Sequence, residues 1–241
     1  MKLYISKSAR TQIKGGTVVF AALILLVCLI SFSRPQGLYT SLKISNIPST
    51  VILDAGHGGF DGGASSNLGT LEKDINLSIA LKTRDVLSLF GFNVIMTRTS
   101  DSALANTKKD DMYKRLEIVN ANPDSIFVSI HQNHFTDGKY SGAQMFYGSG
   151  NEEDAKSLAL ILQKNFKENL NPQNDRQAKK ADKSLFLFKK ASQPSVLIEC
   201  GFLSNYSESL LLQNEKYQTK ISLTIAQSIS EYYKSKDIER N

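Results

Sequence analysis

The strongest constraint on the fold is the alternation, from Val51 onward, of short apolar runs with longer segments of helical periodicity. The apolar runs predict strands at residues 51–55, 92–98, 125–131, 142–148 and 193–202, and the helical segments cover residues 71–91, 111–122, 152–170 and 217–235. Strands separated by helices of this length favour parallel pairing, because a parallel crossover needs a long connection. We therefore predict a single α/β domain over residues 50–235, with a mostly parallel, twisted sheet flanked by helices.

A second constraint lies in front of this domain. Residues 15–33 form an uncharged, apolar run of nineteen residues that follows a basic segment, residues 1–14. A run of about twenty apolar residues can cross a bilayer as a helix, and the positive charges before it predict a cytoplasmic N-terminus. The sequence thus predicts a transmembrane signal-anchor, a linker over residues 34–49, an exported domain and a short tail over residues 236–241. A signal peptide that is cleaved after export is the alternative.

The net charge of +6 does not indicate a nucleic-acid-binding protein. Five of the 29 basic residues and none of the 23 acidic residues lie in residues 1–34, which leaves 24 basic against 23 acidic residues in the rest of the chain. The predicted exported part is therefore nearly neutral, without the excess of basic residues typical of a nucleic-acid-binding surface. Because Cys28 lies inside the predicted membrane span, we expect no disulfide with Cys200 and a domain stabilised by its packed core.

The segment LDAGHGGFDGGA, residues 53–64, places His57 among five glycines, between Asp54 and Asp61. Ordering so many glycines is entropically costly, and their spacing matches neither of the glycine-rich phosphate-binding motifs. Two interpretations remain: a tight turn without chemistry, or a site at which the backbone approaches an ion or a substrate closely. His57 follows the first predicted strand and His131 ends the third, and ligands of open α/β sheets bind at the carboxyl ends of strands. We therefore expect the two histidines to face one site.

Two glutamates extend this candidate site. Glu72 falls in the first turn of a predicted helix for which Thr70 is the expected N-cap. It is either a carboxylate that interacts with the helix dipole or a third metal ligand beside two histidines, a donor set of catalytic zinc sites. Glu199 lies in an apolar strand, where an acid is costly to bury unless it is paired or functional. It is either a salt-bridged structural residue or a general base and general acid beside a metal.

Six segments that occur in order complete the pattern: VILDAGHGGFDGGA, EKDINLSIA, VIMTR, RLEIVNAN, FVSIHQN and VLIECGFLSN. Together they closely resemble the zinc-dependent N-acetylmuramoyl-L-alanine amidases of the Amidase_3 type, over nearly all of the predicted domain. The resemblance implies that His57, Glu72 and His131 bind Zn²⁺ and that Glu199 is the catalytic glutamate.

The resemblance also bears on residues around this set. The motif of the family continues after SIHQN with a small residue, and this chain has His134 there. His134, together with Asn133, is therefore a candidate substrate contact, with zinc coordination by His134 as the alternative. Arg98 and Arg115 match recurring arginines of the family, which structural ion pairs explain. Cys200 is expected to be a small core residue and not a nucleophile, since the histidines that would activate it are accounted for by metal.

The activity implied by the resemblance is hydrolysis of the amide between the lactyl group of N-acetylmuramic acid and the L-alanine of peptidoglycan stem peptides. A short, membrane-anchored, single-domain form is most similar to the sporulation-specific CwlD type, which prepares spore-cortex peptidoglycan for muramic δ-lactam formation. That similarity implies a location in the forespore intermembrane space and a separate deacetylase that acts on the product. An accessory or activator protein that tunes zinc occupancy or substrate access is a further hypothesis, because the sequence shows no inserted helix that would occlude the site. The alternatives are a vegetative cell-wall autolysin of the same family, another zinc peptidase or deacetylase, and a catalytically inactive wall-binding protein.

Overall fold

The predicted alternation of strands and helices is present in the computed structural model, which describes residues 49–240. The strands are β1 (Thr50–Ala55), β2 (Asn93–Met96), β3 (Ser125–Asn133), β4 (Gln144–Tyr147), β5 (Lys179–Lys180) and β6 (Ser195–Phe202). The helices are α1 (Glu72–Leu89), α2 (Lys108–Asn120), α3 (Glu152–Asn169), α4 (Phe186–Lys190), α5 (Tyr206–Leu212) and α6 (Glu215–Arg240). The predicted signal-anchor, residues 15–33, lies outside the described residues. Among the helices of residues 49–240, none combines the length and the apolar character that a membrane span requires.

The strands form one sheet in the order β2-β1-β3-β6-β4-β5, which confirms the mostly parallel α/β architecture. β1 is parallel to both β2 and β3, β3 is parallel to β6, and β4 is parallel to β5. The sheet is mixed because β4 pairs antiparallel to β6. The three central strands, β1, β3 and β6, therefore end at the same edge of the sheet.

The two faces of the sheet are covered by different helices. The larger core lies between the sheet and α1, α3 and α6. On the other face, Ile52, Phe127 and Leu197 of the central strands pack with Val119 of α2 and Phe188 of α4. Burial on both faces explains why the central strands are continuous apolar runs in the sequence.

This arrangement decides which polar side chains meet. Side chains two residues apart on a strand share a face. Ile52, Phe127 and Leu197 pack on the side of α2 and α4. Asp54 lies two residues after Ile52, His131 four after Phe127, and Glu199 two after Leu197. All three therefore project on the side of α2 and α4, at the carboxyl end of the central strands, and they line one cavity there.

The start of α1 differs from the prediction. The N-cap of α1 is Leu71, which has no side-chain cap, and the Thr70 hydroxyl instead donates to Gln213 Oε1 at 2.6 Å. The expected capping by Thr70 is therefore wrong. The first two backbone amides of α1 donate to carbonyl oxygens of the glycine-rich segment, so their hydrogen bonds are satisfied without a side-chain cap.

Three short elements escaped prediction, namely β5, α4 and α5. They have two, five and seven residues, too few to show a strand or helix period in the sequence. At the other end of the chain, α6 continues to Arg240, through residues assigned to the tail.

Candidate metal centre and active site

The structure brings His57, Glu72 and His131 together at the carboxyl edge of the central strands. Glu72 lies between the imidazoles, with Oε2 at 3.2 Å from His57 Nε2 and Oε1 at 2.9 Å from His131 Nδ1. One potential ligand atom from each of the three residues lies within 4.8 Å of the other two. β1 leads into His57, β3 carries His131 and α1 begins at Glu72, so three different elements form this cluster.

The glycines of the segment between residues 56 and 63, the glycine-rich loop, make room for these side chains. A Cβ atom on Gly56 would overlap the imidazole of His131, and one on Gly63 would lie 2.6 Å from Glu72 Oε2. His57 itself has a φ of 62°, which is uncommon for a residue other than glycine. Strained backbone of this kind is concentrated at functional sites. The glycine density therefore has a steric cause at the site.

Two buried arginines hold the backbone on which His57 sits. Arg98 donates to the carbonyl oxygens of Ala55 at 2.8 Å and Gly56 at 3.0 Å. Arg115 donates to the carbonyl oxygens of Ala55 at 3.0 Å and His57 at 2.7 Å. Three successive carbonyl groups therefore have guanidinium donors.

Arg115 also makes the buried ion pairs that the sequence suggested for both arginines, whereas the hydrogen bonds of Arg98 to the described residues all go to backbone carbonyl oxygens. It contacts Asp54 and, at 2.7 Å, Asp111. Burial by itself would raise the pKa of Asp54, but Arg115, with help from the hydroxyl groups of Ser129 and Thr97, lowers this pKa to about 2. Asp54 is therefore a structural anion that keeps Arg115 in place.

The electrostatics of the cluster favour positive charge. Burial by itself raises the pKa of Glu72, but hydrogen bonds from His131 and His57 hold it well below its usual range. Burial lowers the pKa of His57, but Glu72 and Asp61 outweigh this effect and raise it to about 9. Glu72 Oε2 also accepts from the amide of Ala64 at 2.9 Å. A carboxylate that raises the pKa of the neighbouring His57 imidazole provides the negative potential that a metal cation requires.

Glu199 lies on β6 directly opposite His131 on β3. Its Oε2 atom is buried and has no hydrogen-bond partner among the described residues. Burial is the main cause that raises the pKa of Glu199 to about 7. A buried carboxylate with an unpartnered oxygen and a pKa near neutrality is suited to accept and return a proton.

A cavity of 340 Å³ opens from His57, His131 and Glu199 into the space between α2 and α4. Its far wall is apolar and includes Met112 of α2 and Phe186 of α4. The cavity therefore joins a polar end at the candidate site to an apolar wall.

Asn133 is the last residue of β3, and His134 follows it directly. His134 is exposed and does not belong to the metal-ligating cluster found in the described part of the chain. Asn133 is partly exposed, and its backbone carbonyl accepts from the amide of Leu203 at 2.8 Å. The structure thus gives no support to His134 as a ligand and leaves both residues as predicted substrate contacts. Cys200 is buried in the larger core, and burial raises the pKa of its thiol.

One group in contact with the cluster was missed. Asp61 Oδ2 lies 2.9 Å from His57 Nδ1. The sequence signal for this contact was the position of Asp61 after two glycines and four residues from His57, because such a segment can turn the chain back on itself.

Comparison with known proteins agrees with this site. The family described as N-acetylmuramoyl-L-alanine amidase matches residues 51–231. The germination-specific N-acetylmuramoyl-L-alanine amidase of Bacillus subtilis is 38% identical over 211 residues, which cover 84% of this chain and 85% of that protein. The amidase AmiA of Escherichia coli is 27% identical over 242 residues, which cover 83% of this chain and 80% of AmiA.

At least one solved structure is similar to this chain in both fold and sequence. The CwlD amidase from Clostridioides difficile, determined in complex with the GerS lipoprotein, is 42% identical and gives a TM-score of 0.72. That match covers 76% of this chain and 98% of the CwlD chain. With a family match across the described domain and relatives of this identity and coverage, the chain belongs to the Amidase_3 family of N-acetylmuramoyl-L-alanine amidases.

Proposed function

We propose that this peptidoglycan amidase depends on Zn²⁺, which His57, Glu72 and His131 bind, and that Glu199 is its general base and general acid. The observation that carries the proposal is the cluster of three donors within 4.8 Å of one another, beside the unpartnered Oε2 of Glu199. Two imidazoles and one carboxylate form a donor set of catalytic zinc sites, which leave a coordination position for water or substrate. The fit is steric as well as chemical, because Gly56 and Gly63 leave space where a Cβ atom would meet the ligands.

The residues of the chain define a route for the proton. Zinc, when bound, would supply a Lewis acid that polarises the amide carbonyl and lowers the pKa of water. Glu199 accepts a proton from the water that attacks the carbonyl carbon of the lactyl group. The same carboxyl group then donates that proton to the nitrogen of the L-alanine as the C–N bond breaks. The products are a free lactyl carboxylate on the glycan and a peptide with a free amino terminus.

The test is Glu199→Gln in the full-length chain, with zinc content and muropeptide products measured beside the wild type. We expect both proteins to hold one zinc ion and the variant to lose roughly 10²- to 10⁴-fold in kcat, the usual contribution of a positioned general acid–base. Mass spectrometry of digested peptidoglycan should show free stem peptides from the wild type.

Glu208→Gln is a matched control for this experiment. Glu208 is a second largely buried glutamate, and its carboxylate accepts from the backbone amides of Phe202 and Gly142 at 2.8 Å each. The same chemical change is thus made outside the candidate site, and the folded variant should turn over like the wild type. Wild-type turnover by Glu199→Gln would refute the assigned role of Glu199. Cleavage of another bond in peptidoglycan would favour a different zinc peptidase or a deacetylase.

We further propose that the enzyme acts in spore-cortex maturation. The support is its similarity to the germination-specific amidase of Bacillus subtilis and to CwlD of Clostridioides difficile. A separate deacetylase would then act on the muramic residue whose peptide has been removed, before the δ-lactam closes. Expressed in a sporulating strain that lacks its germination-specific amidase, the chain should restore muramic δ-lactam to the cortex. Restored vegetative wall turnover without the lactam would favour the autolysin alternative.

The proposal includes a place for the enzyme and a partner. We place the catalytic domain outside the cytoplasm, in the forespore intermembrane space, held by residues 15–33 as a membrane anchor. Protease admitted to the intermembrane space, by selective permeabilisation of the outer forespore membrane, would leave the domain untouched if this orientation were wrong. The GerS lipoprotein in the CwlD structure supports an accessory lipoprotein as a partner of this chain as well. Zinc affinity and turnover that stay unchanged when such a lipoprotein is added to the purified chain would argue against this partner.

A further inference from the structure

Asp61 contacts the ring nitrogen of His57 that does not face the other candidate ligands. Asp61 Oδ2 lies 2.9 Å from His57 Nδ1, whereas His57 Nε2 lies 3.2 Å from Glu72 Oε2. A carboxylate accepts hydrogen bonds and has no hydrogen to donate. The contact therefore requires a hydrogen on Nδ1. A neutral imidazole that binds a metal ion therefore keeps its hydrogen on Nδ1 and has its lone pair on Nε2, the nitrogen on the side of Glu72.

The chain between these two residues is shaped to bring them together. The amide of Gly58 donates to the carbonyl of Asp61 at 2.9 Å, and the amide of Asp61 donates back to Gly58 at 3.1 Å, which closes a tight turn. Gly58 and Gly59 have φ values of +133° and +57°, and a Cβ atom on Gly58 would lie 2.5 Å from the carbonyl oxygen of Ser102. The turn thus depends on glycine, and its effect is to place Asp61 beside the ring of His57.

Asp61 is also held from its other side. Its Oδ1 atom lies 2.8 Å from Nζ of Lys108, the first residue of α2, and accepts from the amide of Gly63 at 3.3 Å. The two carboxylate oxygens therefore have separate partners, His57 on Oδ2 and the two donors on Oδ1. This division of contacts restricts rotation of the carboxylate and fixes the direction in which Oδ2 points.

We propose that Asp61 is a positioning residue for the metal centre, which fixes the tautomer and the ring orientation of His57 while Lys108 holds Asp61 in place. The inference rests on the proposed function, because it concerns the same Zn²⁺ site. Histidine ligands generally donate their second N–H group to a carboxylate or carbonyl, and removal of that partner weakens metal binding roughly 10- to 100-fold. Lys108 is 70% exposed, so it acts here as a tether and not as a buried structural charge.

The experiment measures Zn²⁺ affinity, since activity alone would not separate positioning from chemistry. The full-length chain is stripped of metal and titrated with Zn²⁺ in competition with a chromophoric chelator. Asp61→Asn keeps the size of the side chain and removes its charge, and we expect affinity to fall by roughly 10- to 100-fold. Lys108→Met should weaken affinity by a smaller factor, because it loosens Asp61 without removing the contact to His57.

Asp101→Asn provides the matched control. Asp101 also accepts hydrogen bonds from the glycine-rich loop, through the amide of Gly59 at 2.8 Å, and from Lys73 at 2.7 Å. The same carboxylate-to-amide change is thus made in contact with the same loop but at partners other than His57. We expect wild-type Zn²⁺ affinity for this variant, and thermal unfolding of the metal-free proteins reports any loss of stability separately.

The outcomes distinguish the inference from the function on which it rests. Wild-type Zn²⁺ affinity in Asp61→Asn would overturn the role of Asp61 and leave the proposed zinc site intact. Equal weakening by Asp61→Asn and Asp101→Asn would also overturn it, since any change in the loop would then suffice. Unchanged affinity in Lys108→Met would remove Lys108 from the inference. A wild-type chain that binds no Zn²⁺ would instead refute the proposed function.

Discussion

Replacement of Gly63 by alanine tests whether the glycine-rich loop is required for space at the site. Gly63 has a φ of +68°, and an added Cβ atom would lie 2.6 Å from Glu72 Oε2 and 2.7 Å from His57 Cδ2. The left-handed backbone alone costs alanine about 1–2 kcal/mol, which corresponds to a fall of about 2–8 °C in the melting temperature of a domain of this size. The steric overlap adds a second cost, because Glu72 is also held by Asn76 at 3.1 Å and by the amide of Ala64 at 2.9 Å. Either the loop or the two ligands must therefore shift.

Gly69→Ala separates these two costs. Gly69 has a φ of +83°, and no heavy atom lies within 4 Å of the Cβ position. It therefore carries the backbone cost without the overlap. We expect both variants to lower the melting temperature of the metal-free chain, and Gly63→Ala to lower it further.

Only Gly63→Ala should also weaken Zn²⁺ binding in the chelator competition and reduce the release of stem peptides, by on the order of 10²-fold if the ligands move by about 1 Å. A Gly63→Ala variant that binds Zn²⁺ and turns over like Gly69→Ala would refute the steric reasoning.

Two further predictions concern residues that are not ligands. The pKa of Asp54 lies at about 2 instead of 3.8, so its carboxylate contributes about 2 kcal/mol of stability that is present above about pH 4 and is lost as the pH falls through 2. Urea unfolding of the metal-free chain should therefore show a free energy of unfolding that declines across this range, with a shallower decline in Asp54→Asn; equal slopes would contradict the assignment. Cys200→Ala should retain wild-type turnover, because burial raises the pKa of the thiol and keeps it protonated; loss of turnover in a folded variant would instead indicate a role for sulfur in the reaction.

The layered α/β fold could be predicted because its signals are long. The central strands are buried on both faces and read as continuous apolar runs, and α1 and α3 span eighteen residues each. That His57 and His131 face one site could be predicted because the carboxyl ends of parallel strands meet at one edge, which brings distant parts of the sequence together. Glu72 begins a helix, and only the family resemblance added it to the predicted ligands.

The remainder depends on contacts that a local pattern does not contain. Threonine is a common N-cap residue, yet the hydroxyl of Thr70 donates a hydrogen bond to Gln213, which is 143 residues away in the sequence. The helix α4 is only five residues long, so the wall that it contributes to the cavity has no periodic signal. Asp61 stood out as an acid in a glycine-rich loop, but its role depends on a turn that Gly58 and Asp61 close by hydrogen bonds and in which Ser102 of a neighbouring segment leaves no room for a Cβ atom on Gly58.

The identity of Arg115 as an arginine follows from the same kind of geometry. Its guanidinium contacts Asp54 and Asp111 and also donates to the carbonyl oxygens of Ala55 and His57, so one side chain serves four acceptors in different directions. An arginine has five N–H donors spread over a rigid planar group, whereas a lysine has three on a single atom. If only the positive charge mattered, lysine would serve at this position as well as arginine. Only arginine can hold two carboxylates and two backbone carbonyls at once. The same guanidinium thus connects the buried carboxylates of Asp54 and Asp111 to the strained backbone at His57.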